Sequence, residues 1–422
     1  MNMYNRRDFL LTSAGVAGAS LIPSTGFAEP ADLPESIRSL NPTPDDVVPI
    51  SDNERLARIG KAQRLMEENK IDAIVMEGGT SMRYFADLRW GNSERTFALV
   101  IPARGELAWI CPAFEEQRAR ELIRFGTEVR TWEEDGSPFK LLGSIFKDRG
   151  VRWGRIGLEE RLRVFIFEGL RRDTSGFEFV DAVPVTAGCR MIKSPAELAL
   201  MQKANVVTIE AYKASFGNLK EGMTQNEFGG LISAAFRKLG FPGGAMVSFG
   251  EYTAFPHGSR TPQKVKEGDM VLVDGGCSVE GYASDITRTF VLGKPTQRQR
   301  DIWNLERKAQ DAAFAAAKPG APCEAVDAAA RKVITDAGFG PEYKLPGLPH
   351  RTGHGIGMDG HEWTNFVKGN KTLMQPGMCF SDEPTICIYG EFGIRLEDCL
   401  HITDDGARMF TAQSPSIEQP FG

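Results

Sequence analysis

Histidine is scarce in this chain of 422 residues: there are five, and none precedes position 257. An imidazole-based site is therefore excluded from the first half. The seven cysteines, Cys111, Cys189, Cys277, Cys323, Cys379, Cys387 and Cys399, contain no C-x-x-C pair, which removes zinc-ribbon and thioredoxin-like chemistry. They read as small buried apolar residues, with a disulfide among Cys379, Cys387 and Cys399 left open. No Lys/Arg block occurs and the net charge is only -6, so electrostatics give no case for nucleic acid or an anionic membrane as partner. Beyond residue 28 no stretch approaches the roughly 20 apolar residues of a membrane span. With 41% hydrophobic and 25% charged positions, fibrous and disordered classes are excluded too. What remains is a chain long enough for two domains, acting on a peptide or small molecule.

The amino terminus carries Arg6-Arg7-Asp8-Phe9-Leu10-Leu11, a twin-arginine pattern, then a Gly/Ala/Leu stretch and Gly26-Phe27-Ala28, a small-residue cleavage site. Residues 1–28 are thus expected to be a signal peptide that exports the mature chain to the periplasm. Residues 29–50 hold five prolines and little apolar periodicity, which reads as a linker or extended arm. Folded structure is expected from Ser51, where Ser51-Asp52-Asn53-Glu54 forms a capping box ahead of a helix with apolar positions Leu56, Ile59, Leu65 and Met66.

The short apolar runs 71–76, 97–101 and 107–111 predict strands of a mixed sheet, so residues 51–190 form an α/β domain. Having no histidine, it is assigned to substrate access or a dimer contact. Lys193-Ser194-Pro195-Ala196-Glu197 opens a second domain, 191–415, with Ser as cap and Pro at the first helical position. Thr224-Gln225-Asn226-Glu227 starts a helix ending at Gly240, and another runs from about Cys323 to Gly338. Helices and hairpins interleave there, predicting an α+β domain.

All the histidines, His257, His350, His354, His361 and His401, fall in this second domain. The segment 350–357 is too rich in glycine for a helix and should be extended, which puts His350 and His354 on one face. Two strands, 271–276 and 285–291, flank a turn whose midpoint falls between Val279 and Glu280 and is equidistant from Asp274 and Asp285. In such a hairpin these carboxylates face one another, and they repel unless a cation joins them or one is protonated. Near the end, Asp382-Glu383 and Glu397-Asp398 flank a second turn around Tyr389-Gly390-Glu391. Two aspartates, two glutamates and one histidine suit Mn, Fe, Co or Zn better than calcium.

In order and surroundings, Asp274, Asp285, His354, Glu383 and Glu397 resemble the ligand set of the pita-bread metallopeptidases, nearest to aminopeptidase P and prolidase. Phe255-Pro256-His257-Gly258, His361-Glu362 and Lys193-Ser194-Pro195 carry the same resemblance, which extends over residues 51–410. It implies a pita-bread catalytic domain behind the α/β domain, a homodimer, and two divalent ions, manganese first with cobalt, zinc or iron as alternatives. Asp285 and Glu397 would bridge the ions, Asp274 would complete one, and His354 with Glu383 the other. Such a pair, roughly 3.5 to 4 Å apart, lowers the pKa of a bridging water. Glu383 would also be the general base, His257 and His361 would line the pocket and stabilise the intermediate or move its proton, His350 would lie near the leaving proline, and Arg395 would stand behind the ligands or on the leaving-group side.

The expected activity is cleavage of the bond before proline. A small-molecule amidohydrolase or lyase of the same fold is the alternative, and a metal-free peptide-binding module a third. The resemblance departs at one place: where the family commonly shows Glu-Pro-Gly-Ile-Tyr, this chain has Glu383-Pro384-Thr385-Ile386-Cys387. No G-x-G-x-x-G follows the Asp274 strand, which argues against a nucleotide loop there. His401 is read as structural.

Overall fold

The computed structural model describes residues 33–421, so the twin-arginine pattern lies outside the described residues. Folded structure begins before Ser51. A helical turn at Glu35–Arg38 buries Ile37, and Ile50 joins it in the core of the second domain.

The first long helix, Asp52–Asn69, is capped by Ser51 Oγ, which accepts from Glu54 N at 3.2 Å. The Glu54 carboxylate does not return to the cap. It accepts instead from Arg58 and from Ser194 Oγ of the second domain at 2.7 Å. The buried face runs through Arg55, Arg58, Ile59, Ala62 and Met66, so Leu56, expected inside, is 54% exposed. Behind it lies a sheet of β1 (Ala73–Glu77), β2 (Ala98–Pro102), β3 (Ala108–Pro112), β4 (Glu128–Trp132), β5 (Gly154–Leu158) and β6 (Phe177–Asp181), ordered β4-β3-β2-β1-β5-β6. β2 runs antiparallel to both neighbours and the other pairs are parallel. Residues of β1 to β3 are buried throughout, which is why they read as unbroken apolar runs; Trp109 and Met76 face one core, Val75 and Ile110 the other.

The second domain opens with helices Pro195–Phe216 and Gln225–Leu239, each with a complete capping box, the latter closed by Gly240 at φ 91°. They cover a sheet of β7 (Gly243–Phe249), β8 (Met270–Val279), β9 (Tyr282–Ala283) and β10 (Ile286–Val291), in which β8 is central. Helices Gln297–Ala316 and Cys323–Asp336 share a second core with β11 (Gly353–Gly355), β12 (Glu362–Phe366), β13 (Cys379–Asp382), β14 (Thr385–Ile388), β15 (Phe392–Arg395), β16 (Asp398–Ile402) and β17 (Ala407–Met409). Five of these strands form a sheet ordered β12-β11-β13-β16-β17, and β14 with β15 forms a hairpin. A bridge from Thr287 to Glu397 joins the two sheets. The architecture is an α/β domain followed by the α+β domain expected.

All seven cysteines are free. Cys379 lies opposite His401 and Cys387 opposite Gly393, so the open disulfide among Cys379, Cys387 and Cys399 does not form. Among the described residues no helix is long and apolar enough to cross a membrane.

Two ionic clusters join the domains. Arg58 donates to Tyr282 Oη at 2.9 Å and pairs with Glu197 at 3.3 Å, while Tyr282 Oη donates to Glu197 at 2.7 Å. The tip of the β8–β9 hairpin rests on the first domain: a Cβ on Gly281, at φ 93°, would fall 2.1 Å from the Arg83 guanidinium. The second cluster holds the loop before β12, where Thr80 donates to Asp359 at 2.7 Å, Arg161 to Asp359 at 3.0 Å and Lys193 to Glu362 at 3.0 Å. Arg190, buried among them, meets both Asp359 and Glu362.

Candidate metal centre

The β8–β10 hairpin turns one residue later than the sequence midpoint suggests. Glu280 and Gly281, both with positive φ, form its two-residue turn, so Val279 pairs with Tyr282 and Asp274 with Thr287. Asp274 and Asp285 are therefore diagonal neighbours rather than opposite. Because the displacement is two residues along β10, they still share a face. Glu383 and Glu397 meet at a junction: the β13/β16 ladder ends at Asp382 opposite Asp398, and the β14/β15 hairpin begins at Thr385 opposite Arg395.

The extended segment is shorter than expected. Only Gly353–Gly355 is strand, with an irregularity between His354 and Gly355, and His350 stands outside it. His354 Nδ1 lies 3.1 Å from Gly355 O, which makes that nitrogen the donor and leaves the Nε2 lone pair facing Glu383 at 3.2 Å and Asp285 at 3.8 Å. Ligand atoms lie within 4.8 Å of one another in three overlapping groups: Asp274, Asp285 and Glu397; His354, Glu383 and Glu397; Asp285, His354 and His361.

Thr287, which the sequence reading passed over, sits among these carboxylates, its hydroxyl 2.6 Å from Glu397 and 3.0 Å from Asp274. Arg395 Nε donates to the same hydroxyl at 3.0 Å, its terminal nitrogen meets Asp274, and Nη1 donates to Pro256 O at 3.0 Å. The signal for Thr287 was available, since it lies two residues from Asp285 on the same strand face. No described donor hydrogen-bonds the Asp285 carboxylate.

Charge in this pocket is unbalanced. Burial, reinforced by neighbouring carboxylates, raises the pKa of both Asp285 and Glu397, and burial with Asp274 nearby raises Glu383 to about 7 despite Arg395. Burial opposes the Arg395 charge, but Asp274 and Glu397 outweigh it and hold the guanidinium protonated. His354 is pushed down to about 3 by burial and by His361. Four carboxylates, one cation and a neutral imidazole with its lone pair turned inward form a donor set that fits divalent metal.

Around this set, His361 stacks on His354 with ring centroids 3.8 Å apart. Arg351, also passed over, donates to His361 Nδ1 at 2.9 Å, so Nε2 carries the proton. Burial, then Arg351, lowers the His361 pKa. His350 Nδ1 faces Arg351 O at 2.7 Å and Nε2 faces Thr385 Oγ1 at 3.1 Å; burial and Arg395 depress it to about 4. His257 is exposed, near enough that its charge would depress both His350 and His361. His401 packs on Phe410, away from this group.

Comparison with known proteins matches the Creatinase/Prolidase N-terminal domain over residues 58–192 and Metallopeptidase family M24 over residues 199–404. The Xaa-Pro dipeptidase of Lactobacillus delbrueckii subsp. lactis is 33% identical over 369 residues, covering 85% of this chain and 98% of that protein. A prolidase structure from Thermococcus sibiricus has a TM-score of 0.77 at 28% identity, covering 86% of this chain and 98% of that one. Dipeptidase PepE from Mycobacterium ulcerans has a TM-score of 0.80 at 29% identity, covering 88% and 99%. Fold and site together are those of a metallopeptidase. The chain belongs to metallopeptidase family M24, of the Xaa-Pro dipeptidase or prolidase type, with the pita-bread domain behind a creatinase-type first domain.

Export to the periplasm does not stand. The residues that carried it lie outside the described residues, and the Lactobacillus relative, matched over 98% of its own length by 85% of this chain, lends that expectation no support.

Proposed function

We propose that the protein hydrolyses the peptide bond preceding proline in Xaa-Pro dipeptides, as a homodimer with two divalent metal ions, manganese first and cobalt, zinc or iron as alternatives. Asp274, Asp285, His354, Glu383 and Glu397 would hold the metals. When bound, such ions supply Lewis acidity and lower the pKa of water. The observation that carries this reading is the convergence of the four carboxylates and the His354 lone pair from two sheets.

The side chains divide the remaining work. Glu383, which burial with Asp274 nearby raises to about 7, takes the proton of the attacking water and passes it toward the leaving nitrogen. His361, kept as the Nε2–H form by Arg351, donates to the substrate carbonyl oxygen as charge develops there. His257, at the exposed rim, assists it. Arg395 and Thr287 hold Asp274 and Glu397 in place, and His350 borders the leaving proline. The first domain shapes access and supports the loop carrying His361.

Metal-loaded protein should release the residue before proline from Xaa-Pro dipeptides, with longer Xaa-Pro peptides and matched Xaa-Ala dipeptides as controls. Protein that holds metal yet is silent on the whole panel would refute the peptidase assignment in favour of a small-molecule amidohydrolase or lyase. The Thr385 and Cys387 departure is what keeps that second reading in view.

A further inference from the structure

We infer that Cys399 is a positioning residue for the metal centre, its thiol fixing the Asp285 main chain at the spacing from Glu397 that the ligand set requires; the inference rests on the reading of Asp285 and Glu397 as ligands. Leading into β10 the backbone groups alternate sides: Ser284 N donates to Cys277 O of β8 at 3.1 Å, whereas Thr287 O accepts from Glu397 N at 3.2 Å. The bridge between Thr287 and Glu397 is antiparallel, so the next pairs outward are Thr289 with Arg395 and Asp285 with Cys399. Among the described residues neither pair is joined backbone to backbone. Thr289 Oγ1 donates to Arg395 O at 2.7 Å and accepts from Arg395 N at 3.3 Å. At the other end Cys399 Sγ accepts from Asp285 N at 3.3 Å and donates to Asp285 O at 3.2 Å. One backbone rung is thus flanked by two side-chain rungs, a hydroxyl and a thiol, each spanning a gap where the strands have parted.

The consequence concerns Asp285. Its carboxylate has no hydrogen-bond donor among the described residues, so the direction of that side chain is set by the main chain behind it. On the β8 side this main chain is closely packed: a Cβ on Gly276 would fall 2.0 Å from Ser284 O. On the other side stands the thiol. A carbonyl only accepts, so the sulfur bears its proton and turns it to Asp285 O while a lone pair takes the Asp285 amide. Cys399 is fully buried and joins none of the candidate ligand groups, so it acts on a metal through Asp285 and not as a ligand itself. Removing the thiol leaves a buried amide and a buried carbonyl without partners. The main chain then shifts to find others, and the carboxylate moves off the position that matches Glu397, which Thr287 still holds. Losing a bond of this kind behind a ligand costs roughly 10- to 100-fold in metal affinity.

The test uses the full-length protein. Titrating metal-free protein with cobalt gives an affinity and a visible spectrum that reports the geometry around the ion. Cys399→Val should bind cobalt roughly 10- to 100-fold more weakly, with an altered spectrum at saturation. Cys399→Ser, whose hydroxyl can accept and donate as that of Thr289 does, should return toward the wild type. Wild-type affinity and spectrum in the valine variant, even with a lowered thermal midpoint, overturn the positioning role, and so does a serine variant as weak as the valine one. The infrared difference between wild type and Cys399→Ser isolates the S–H stretch of this thiol and does not depend on the valine variant folding. A band shifted down into the hydrogen-bonded range is expected, and a free-thiol band overturns the inference. Asp285→Ala separates the two readings: if it binds cobalt as tightly as the wild type, Asp285 is no ligand and the positioning role falls with that reading, whatever the infrared band shows.

Discussion

Replacing Arg190 with methionine should weaken the protein in a way that fades in acid. Arg190 is buried against Asp359 and Glu362, and the Glu362 carboxylate also accepts from Lys193 at 3.0 Å, Met358 N at 3.0 Å and Asp359 N at 3.2 Å. Burial alone would raise the Glu362 pKa, but Arg190 and Lys193 outweigh it and bring the value from the ordinary 4.5 down to about 2. At about 1.36 kcal/mol per pKa unit, that displacement corresponds to roughly 3 kcal/mol of folding stability. Since the folded value lies below the unfolded one, the contribution is complete above pH 4.5 and is lost as the pH falls toward 2. Breaking one partner of a buried ion pair costs about 3–5 kcal/mol, which agrees in size. With Lys193 still present, Arg190→Met should lose about 2–3 kcal/mol at pH 7, and Arg190→Lys should recover part of it. Urea unfolding followed by tryptophan fluorescence at pH 7, 5, 4 and 3 measures this. A loss of the same size at every pH, or one below about 0.5 kcal/mol at pH 7, would refute the reasoning.

Glu383→Gln should lower kcat by roughly 10²- to 10⁴-fold while metal analysis still finds metal on the remaining ligands; a loss of metal equal to the loss of rate would assign Glu383 to binding alone. Asp285→Ala and His354→Ala should each abolish activity at ordinary metal concentrations, and full activity in metal-loaded assays of either would remove that residue from the ligand set. Chelation should lower the thermal midpoint, more at pH 7 than at pH 5. Asp285 and Glu397 are raised above their unfolded values, so metal-free protein loses stability as the pH climbs past the ordinary carboxylate range and these groups are forced to ionise together. Calorimetry with and without chelator measures the gap, and a gap that narrows with rising pH contradicts the account.

The parts of the fold that were legible in the sequence are those with local causes. Ser194 and Thr224 each satisfy backbone donors a turn ahead, and the Glu three residues on returns the bond, so both helix starts could be read without tertiary knowledge. Ser51 shows where that reasoning stops. Its Glu54 has the right spacing, yet Ser194 and Arg58 offer better partners in the assembled protein. The hairpin carrying Asp274 and Asp285 was legible as a hairpin but not in register, because Glu280-Gly281 is a weaker turn signal than Asn-Gly or Asp-Gly. The shared face survived only because the slip was even. His350 and His354 were read as neighbours on one strand, but three glycines in 353–357 let the chain leave the strand early, and the two rings found different partners. Arg351 had no signal at all in sequence, since its role depends on His361 folding back over it.

The bridge between Thr287 and Glu397 has a consequence for the order of events in synthesis. The candidate ligands are spread along the chain, with Glu397 following Asp274 by 123 residues, and they come together only where the two sheets of the second domain meet. A ribosome delivering the chain from its amino terminus exposes the Asp274 and Asp285 hairpin long before the glutamates and histidine that complete the group. For most of translation the cell holds a polypeptide with half a chelating set and no means of closing it. Cation capture is thereby deferred to the final stage of maturation, when the last strands dock, and a chain cut short anywhere before residue 397 would remain unable to recruit its ions.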